Sequence, residues 1–139
     1  MATPQSISTL GQLRQAVASG AVPHRSVQQE VRDNLIVRLR AGVDLFPGIV
    51  GYDDTVIPQM VNALLSQHHF ILLGLRGQAK TRLLRALATL LDPWVPVMPG
   101  CEINDDPLAP ICGACRARIA IEGDATPVAW LSRDDRYVE

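Results

Sequence analysis

The sequence predicts an α/β fold with parallel strands and an N-terminal helical extension. Three observations point there. Phe70 to Leu73 form an apolar run with no polar alternation, the pattern of a strand buried on both faces, as parallel strands are. That run enters a loop with two glycines and then a leucine-rich amphipathic segment, which is the strand–loop–helix order of α/β units. Aromatic residues make up only 4% of the chain and helix formers dominate, which disfavours a β-sandwich.

With 139 residues, 47% of them hydrophobic and 19% charged, the chain can bury a core and does not read as a disordered tail. A formal net charge of −1 provides no basic field to recruit nucleic acid. No apolar run reaches the roughly 20 residues that span a bilayer. The start, MATPQSISTLGQ, lacks the charged-then-apolar layout of a signal peptide, and a cytoplasmic location is expected. Three cysteines do not make a disulfide framework. In a reducing compartment they stay thiols or ligate a metal.

The elements follow in order. Leu10, Leu13 and Val17 suggest a short helix stopped between Gly20 and Pro23. Ser26 can cap a second helix, with Gln29 as its capping-box partner. Val27, Val31, Leu35 and Leu39 fall on one face of it, Arg32, Arg38 and Arg40 lie away from that face, and Gly42 is a natural stop. Residues 1–42 are therefore read as a helical extension ahead of residues 43–139. LFPGIVGYDDT, Leu45 to Thr55, is a shaped loop, because Pro47, Gly48 and Gly51 forbid a regular helix. Asp53, Asp54 or Thr55 can cap a third helix, with Val56, Ile57, Met60, Val61, Leu64 and Leu65 inward, ending near Gln67. After the predicted strand, Lys80 to Leu91 read as a helix with Leu83, Leu84, Leu87 and Leu91 inward, closed by Asp92-Pro93. Val95 to Val97 can form a short strand despite Pro96, Pro99 to Pro110 read as loop, Cys112 to Ile121 as a helix, and Val128 to Leu131 as a short strand.

The loop Gly74-Leu75-Arg76-Gly77-Gln78-Ala79-Lys80-Thr81 carries the chemistry. Gly74, Lys80 and Thr81 match the phosphate-binding pattern G-x-x-x-x-G-K-[ST] in register, and Ala79 stands where a glycine is usual. Polyphosphate needs successive backbone N–H groups bent around it and a helix N-terminus behind them. Gly74 and Gly77 permit the tight turn, Lys80 would reach the β- and γ-phosphates, and Thr81 would offer its hydroxyl to Mg2+. If position 79 requires a positive φ, alanine costs about 1–2 kcal/mol, which is small beside triphosphate binding. The competing reading is a strand–turn–helix corner whose glycines serve only the turn.

FPGIVGYDDTVIPQMVNALL followed by FILLGLRGQAKTRLLRALATLL resembles the start of an AAA+ ATPase module, most similar to the magnesium chelatase ATPase subunit and MoxR-type ATPases. The resemblance spans roughly Leu45 to Arg118 and includes PGCEINDDPLAPICGACR, which is similar to the loop after the second strand in chelatase-like members. It implies a partial P-loop NTPase fold in which Ile49, Val50 and Gly51 line the adenine pocket. Leu75, Arg76, Gln78 and Ala79 would line the phosphates with Gly74, Gly77, Lys80 and Thr81. Tyr52 stands where the family has glutamine. The implied cofactors are ATP and Mg2+, the implied assembly a homo-oligomeric ring working with a metal-ion-binding partner subunit. The one Walker B candidate, Val128 to Asp135, is interrupted by Ser132 and Arg133, and a surface turn is the preferred reading there. The chain therefore reads as the N-terminal portion of an ATPase cut before Walker B, with no catalytic residue assigned and little hydrolysis of its own.

Smaller signals remain. Cys101, Cys112 and Cys115 give one C-x2-C pair and an outlying cysteine. Zinc wants four ligands, and His24, His68, His69 and Asp105 are candidates that spacing does not place. Buried thiols or a redox pair are the alternatives. His68 and His69 point to opposite faces of a strand and do not suit a ligand pair. Asp105-Asp106, ahead of Pro107, reads as a turn. Two functions compete: an ATP-binding AAA+ module that couples nucleotide state to remodelling of a partner, and a non-catalytic zinc-binding or protein-interaction module with a degenerate loop.

Overall fold

The structure, a computed structural model, describes residues 6–138; the polar start at Met1 and the terminal Glu139 lie outside them. The chain divides into two compact units, Met1–His24 with Pro93–Glu139, and Arg25–Asp92.

In the first unit, helix α1 (Leu10–Ala18) opens with a reciprocal capping box. The Thr9 side chain accepts from the Gln12 N–H while the Gln12 side chain accepts from the Thr9 N–H. Its inward positions fall as the spacing predicts: Leu10 and Leu13 are fully buried with Ile7 and Val128, and Val17, Leu108, Ile119 and Trp130 close around them. Strands β1 (Trp94–Val97) and β2 (Ala129–Ser132) pair antiparallel, with Val95 opposite Leu131 and Val97 opposite Ala129. Pro96 is tolerated because both strands of a two-stranded ladder are edges. Helix α5 (Gly113–Glu122) ends at Gly123 and continues into a 3-10 turn, Gly123–Ala125. After β2, Ser132 caps a short helix α6 (Arg133–Arg136) by accepting from the Asp135 N–H, and its hydroxyl donates to the Asp135 carboxylate at 2.6 Å. The acids of the Walker B candidate thus sit in the first turn of a helix, where negative charge suits the dipole.

The second unit packs helices α2 (Val27–Arg40), α3 (Val56–Leu65) and α4 (Lys80–Ala88). Ser26 caps α2 through the Gln29 N–H at 3.2 Å, but the Gln29 amide turns instead to Asp33 at 2.8 Å. The α2 stripe is buried at its centre, Leu35, while Val27 and Leu39 at its ends are exposed. Two of the arginines that lie away from the apolar face are used: Arg32 donates to the carbonyl of Leu65 at 3.0 Å and Arg38 to that of Thr89 at 2.6 Å. Both carbonyls lie at helix C-terminal ends, which lack intrahelical donors and favour a cation. Phe46, Met60 and Leu83 form the buried core, with Ile49, Ile57, Phe70, Leu72 and Leu87 packed against it. Helix α4 stops earlier than its pattern suggests, and its inward stripe differs: Leu84 is exposed, whereas Leu90, beyond the helix, is buried.

The fold-class expectation of a parallel-stranded α/β, P-loop type sheet is overturned. Among the described residues the sheet is two-stranded and antiparallel, and the rest is mostly helical. Phe70 to Leu73 carry no ladder partner there. Phe70 and Leu72 rest on the helical core, whereas Ile71 and Leu73 are 82% and 89% exposed. The apolar run is therefore buried on one face by helices, not on two faces by a sheet. Among the described residues no helix is long and apolar enough to cross a membrane.

Candidate functional sites

The loop Gly74 to Thr81 ends in the N-terminus of α4, and its backbone has a distinctive sign pattern. Gly77 has φ +80° and Ala79 has φ +57°, while Gln78 between them stays out of the positive region and Lys80 begins the helix. Alternation of this kind turns successive N–H groups toward one side and makes an anion-binding concavity. Ala79 therefore holds the left-handed conformation that a glycine would take, as the Cap residue of α4, and its strain follows from its Cβ.

Side chains hold the loop in this shape. The Gln78 carboxamide oxygen accepts the Leu75 N–H at 2.9 Å. A Cβ on Gly74 would meet that same oxygen, so glycine here leaves room for an internal tie. The Lys80 ammonium folds back over the loop and donates to the carbonyls of Gly74, at 2.9 Å, and Leu75. The Tyr52 hydroxyl donates to the Gln78 carbonyl at 3.1 Å, which joins the GIVGY segment to the loop. Within that segment Ile49 is half-buried against the core, whereas Val50 is 87% exposed and Gly51 takes φ +91°. Arg76 and Thr81 are both exposed, on the loop and on the first turn of α4. Sequence reasoning named Gln78 only as a lining residue and gave Tyr52 no role at all. The hydrogen bonds assign both.

Ala79→Gly is expected to stabilise the chain by about 0.5–1 kcal/mol. It removes left-handed strain of about 1–2 kcal/mol and gives part of this back through the looser unfolded chain. Urea unfolding monitored by circular dichroism measures it, and a destabilised Ala79→Gly would contradict the loop conformation.

A second constellation lies in the first unit. The segment between β1 and α5 is closed by the Met98 N–H, which donates to the Asp105 carbonyl at 2.9 Å. Cys101 sits in the turn so formed, while Cys112 is the cap residue of α5 and Cys115 lies in its first turn. Their three Sγ atoms all lie within 4.8 Å of one another. The backbone N–H groups of Asp105 and Ile103 point at the Cys101 sulfur and lower its pKa, outweighing the opposing effect of burial. Burial, aided by the neighbouring Cys101 and Cys112 sulfurs, pushes the Cys115 thiol up to about 12.

Asp105 is the brace of this region. Its buried carboxylate accepts from the N–H groups of Cys112 at 2.8 Å, Ile111 at 3.0 Å and Asp106 at 3.0 Å. Burial opposes its charge, but the donors from Cys112, Ile111 and Asp106, with the charge of Arg116, hold its carboxyl below the usual range. The chain turns just after the pair, where the Asp106 carbonyl accepts the Ala109 N–H at 3.3 Å, while Asp105 ties the Cys101 turn to the start of α5. Asp106 accepts the Leu108 N–H at 2.9 Å and pairs with His24 at 2.8 Å. His69 faces Gln28 at 3.3 Å in the other unit, so neither it nor His24 stands apart as a spare ligand.

Compared with known proteins, the chain matches no family model, no curated protein and no solved structure.

Proposed function

We propose that the chain binds a nucleoside triphosphate with Mg2+ through the loop Gly74 to Thr81, the ligand that the resemblance to magnesium chelatase-like ATPases implies. The observation that carries this reading is the backbone of that loop. Positive φ at Gly77 and Ala79 around Gln78, directly ahead of the α4 N-terminus, is the kind of alternation by which backbone N–H groups can cradle an anion. The Lys80 side chain returns over the loop to bond its carbonyls.

The residues present fit the ligand. The Lys80 ammonium would exchange its carbonyl partners for β- and γ-phosphate oxygens, which are stronger acceptors. Thr81 offers one hydroxyl to the metal; Mg2+ keeps several waters and takes phosphate oxygens, so one protein ligand suffices to bind it with the nucleotide. Ile49 and Val50 supply apolar surface beside the loop for the base, and Tyr52 fixes their segment to Gln78. In this reading nucleotide state is coupled to remodelling of a partner, within a homo-oligomeric ring in the cytoplasm, where the free thiols persist. The reading rests on the loop and its helix and requires no parallel sheet.

Isothermal titration with Mg2+ and ATP, ADP or AMP tests it. ATP and ADP are expected to bind and AMP to bind at least about 10-fold more weakly, because the concavity holds polyphosphate. No heat from ATP at millimolar concentration, or equal affinity for AMP, would overturn it.

A further inference from the structure

We propose that Cys101, Cys112 and Cys115 form a zinc site, with one Zn2+ held by three thiolates and its fourth position open to the adjoining cavity. Nothing in the nucleotide reading requires it, and the site lies wholly within the first unit.

Geometry carries the proposal. Thiolates bound tetrahedrally to one zinc at about 2.3 Å stand about 3.8 Å apart. The three sulfurs already lie within 4.8 Å of one another, so rotamer adjustments suffice to close the shell. A four-iron cluster gives each iron its own cysteine, which sets the sulfurs farther apart than three that share one ion. A disulfide would use two of the three sulfurs and leave the third stranded beside it.

The surroundings are those of a thiolate site. Cys112 and Cys115 lie at the N-terminal end of α5, where the helix dipole favours negative sulfur. Asp105 braces the Cys101 turn against the Cys112 N–H, fixing two ligands from separate segments in one place. Three thiols release three protons to solvent on binding, leaving the centre with a charge of about −1. Arg118 lines the same cavity and pairs with Glu122 at 3.2 Å.

The cavity has a volume of about 460 Å3 and is lined by Met98, Ile103, Arg118 and the three cysteines, with Glu102 also on its wall. The fourth zinc position faces it, where water or the Glu102 carboxylate completes the shell. The site thereby clips an irregular stretch, Met98 to Ile111, to α5.

The test begins with the full chain purified under reducing conditions and its metal content measured. About one zinc per chain is expected, and Co2+ in its place should show thiolate-to-cobalt charge-transfer bands. Cys101→Ser and Cys115→Ser should each lower zinc content to about a tenth or less. Because Cys115 is buried and its variant can fail to fold, the cobalt spectrum of the unaltered chain decides the matter in that case. A chain that takes up no zinc while three thiols titrate would overturn the proposal. So would cobalt spectra without thiolate bands, an iron–sulfur chromophore, or a Cys112–Cys115 disulfide in reductant-purified protein.

Discussion

Lys80→Ala is expected to weaken Mg-ATP binding about 100-fold while leaving the fold intact. The ammonium is the one cation the loop folds over itself, donating to the Gly74 and Leu75 carbonyls. Those carbonyls belong to exposed residues, so water replaces the lysine at little cost, and alanine is a better helix former at the first position of α4. Stability should change by less than about 1 kcal/mol. Binding should not be so tolerant. A charge-assisted contact to β- and γ-phosphate oxygens is worth about 2–3 kcal/mol, and about 2.7 kcal/mol corresponds to the expected 100-fold. Titration calorimetry on both proteins, with circular dichroism as the control for folding, makes the comparison. An unchanged Kd would separate Lys80 from the ligand and remove the main reason to read the loop as a phosphate cradle. Lys80→Arg keeps the charge but not the reach of a compact ammonium, and should recover only part of the affinity.

The two candidate sites were legible to different depths. The order Gly74, Lys80, Thr81 is written in the chain, because phosphate chemistry fixes both residue types and spacing. What spacing does not write is the sign of φ. Ala79 is a residue with no preference for the left-handed region, so its conformation follows from the loop it closes and not from its identity. The cysteines show the reverse difficulty. C-x2-C announces a pair, but Cys101 lies eleven residues upstream of Cys112, and only the Met98–Asp105 closure and the Asp105 carboxylate bring it alongside. An aspartate followed by another aspartate and a proline reads as a turn. That such a residue is buried with backbone donors is a tertiary fact with no local signature.

For the fold, local rules worked where one element decides the outcome. Ser26 caps its helix, and Leu10, Leu13 and Leu35 are buried where helical spacing puts them. The failure came at Phe70 to Leu73. Four consecutive apolar residues are compatible with burial on two faces, but periodicity cannot say what covers each face. Here helices cover Phe70 and Leu72, and the other two residues face outward. The arginines of α2 carry a related lesson: a charge at helical spacing says which side it leaves from, not whether a neighbouring helix end offers it carbonyls.

Leu13→Ala should cost about 3 kcal/mol. Leu13 is fully buried in a cluster with Ile7, Leu10 and Val128, and its side chain has no path to solvent. Truncation removes the transfer free energy of the lost carbons and adds a cavity term, because neighbours relax only in part; Leu→Ala changes at such sites span about 2–5 kcal/mol. Collapse is hindered here on two sides. The Thr126 carbonyl accepts the Leu10 N–H at 2.8 Å, and the Trp130 indole donates to the Ile7 carbonyl at 2.9 Å, so α1 is pinned to the segment that includes β2. The two tryptophans, Trp94 and Trp130, both lie in this unit. Tryptophan fluorescence during urea unfolding therefore reports on it directly, and the midpoint should fall by about 1–2 M at the slopes usual for small domains. A shift below about 0.3 M would mean that α1 is not docked where its leucines place it. Val17→Ala, at a half-buried position on the same helix face, should cost about 1 kcal/mol and supplies the internal comparison.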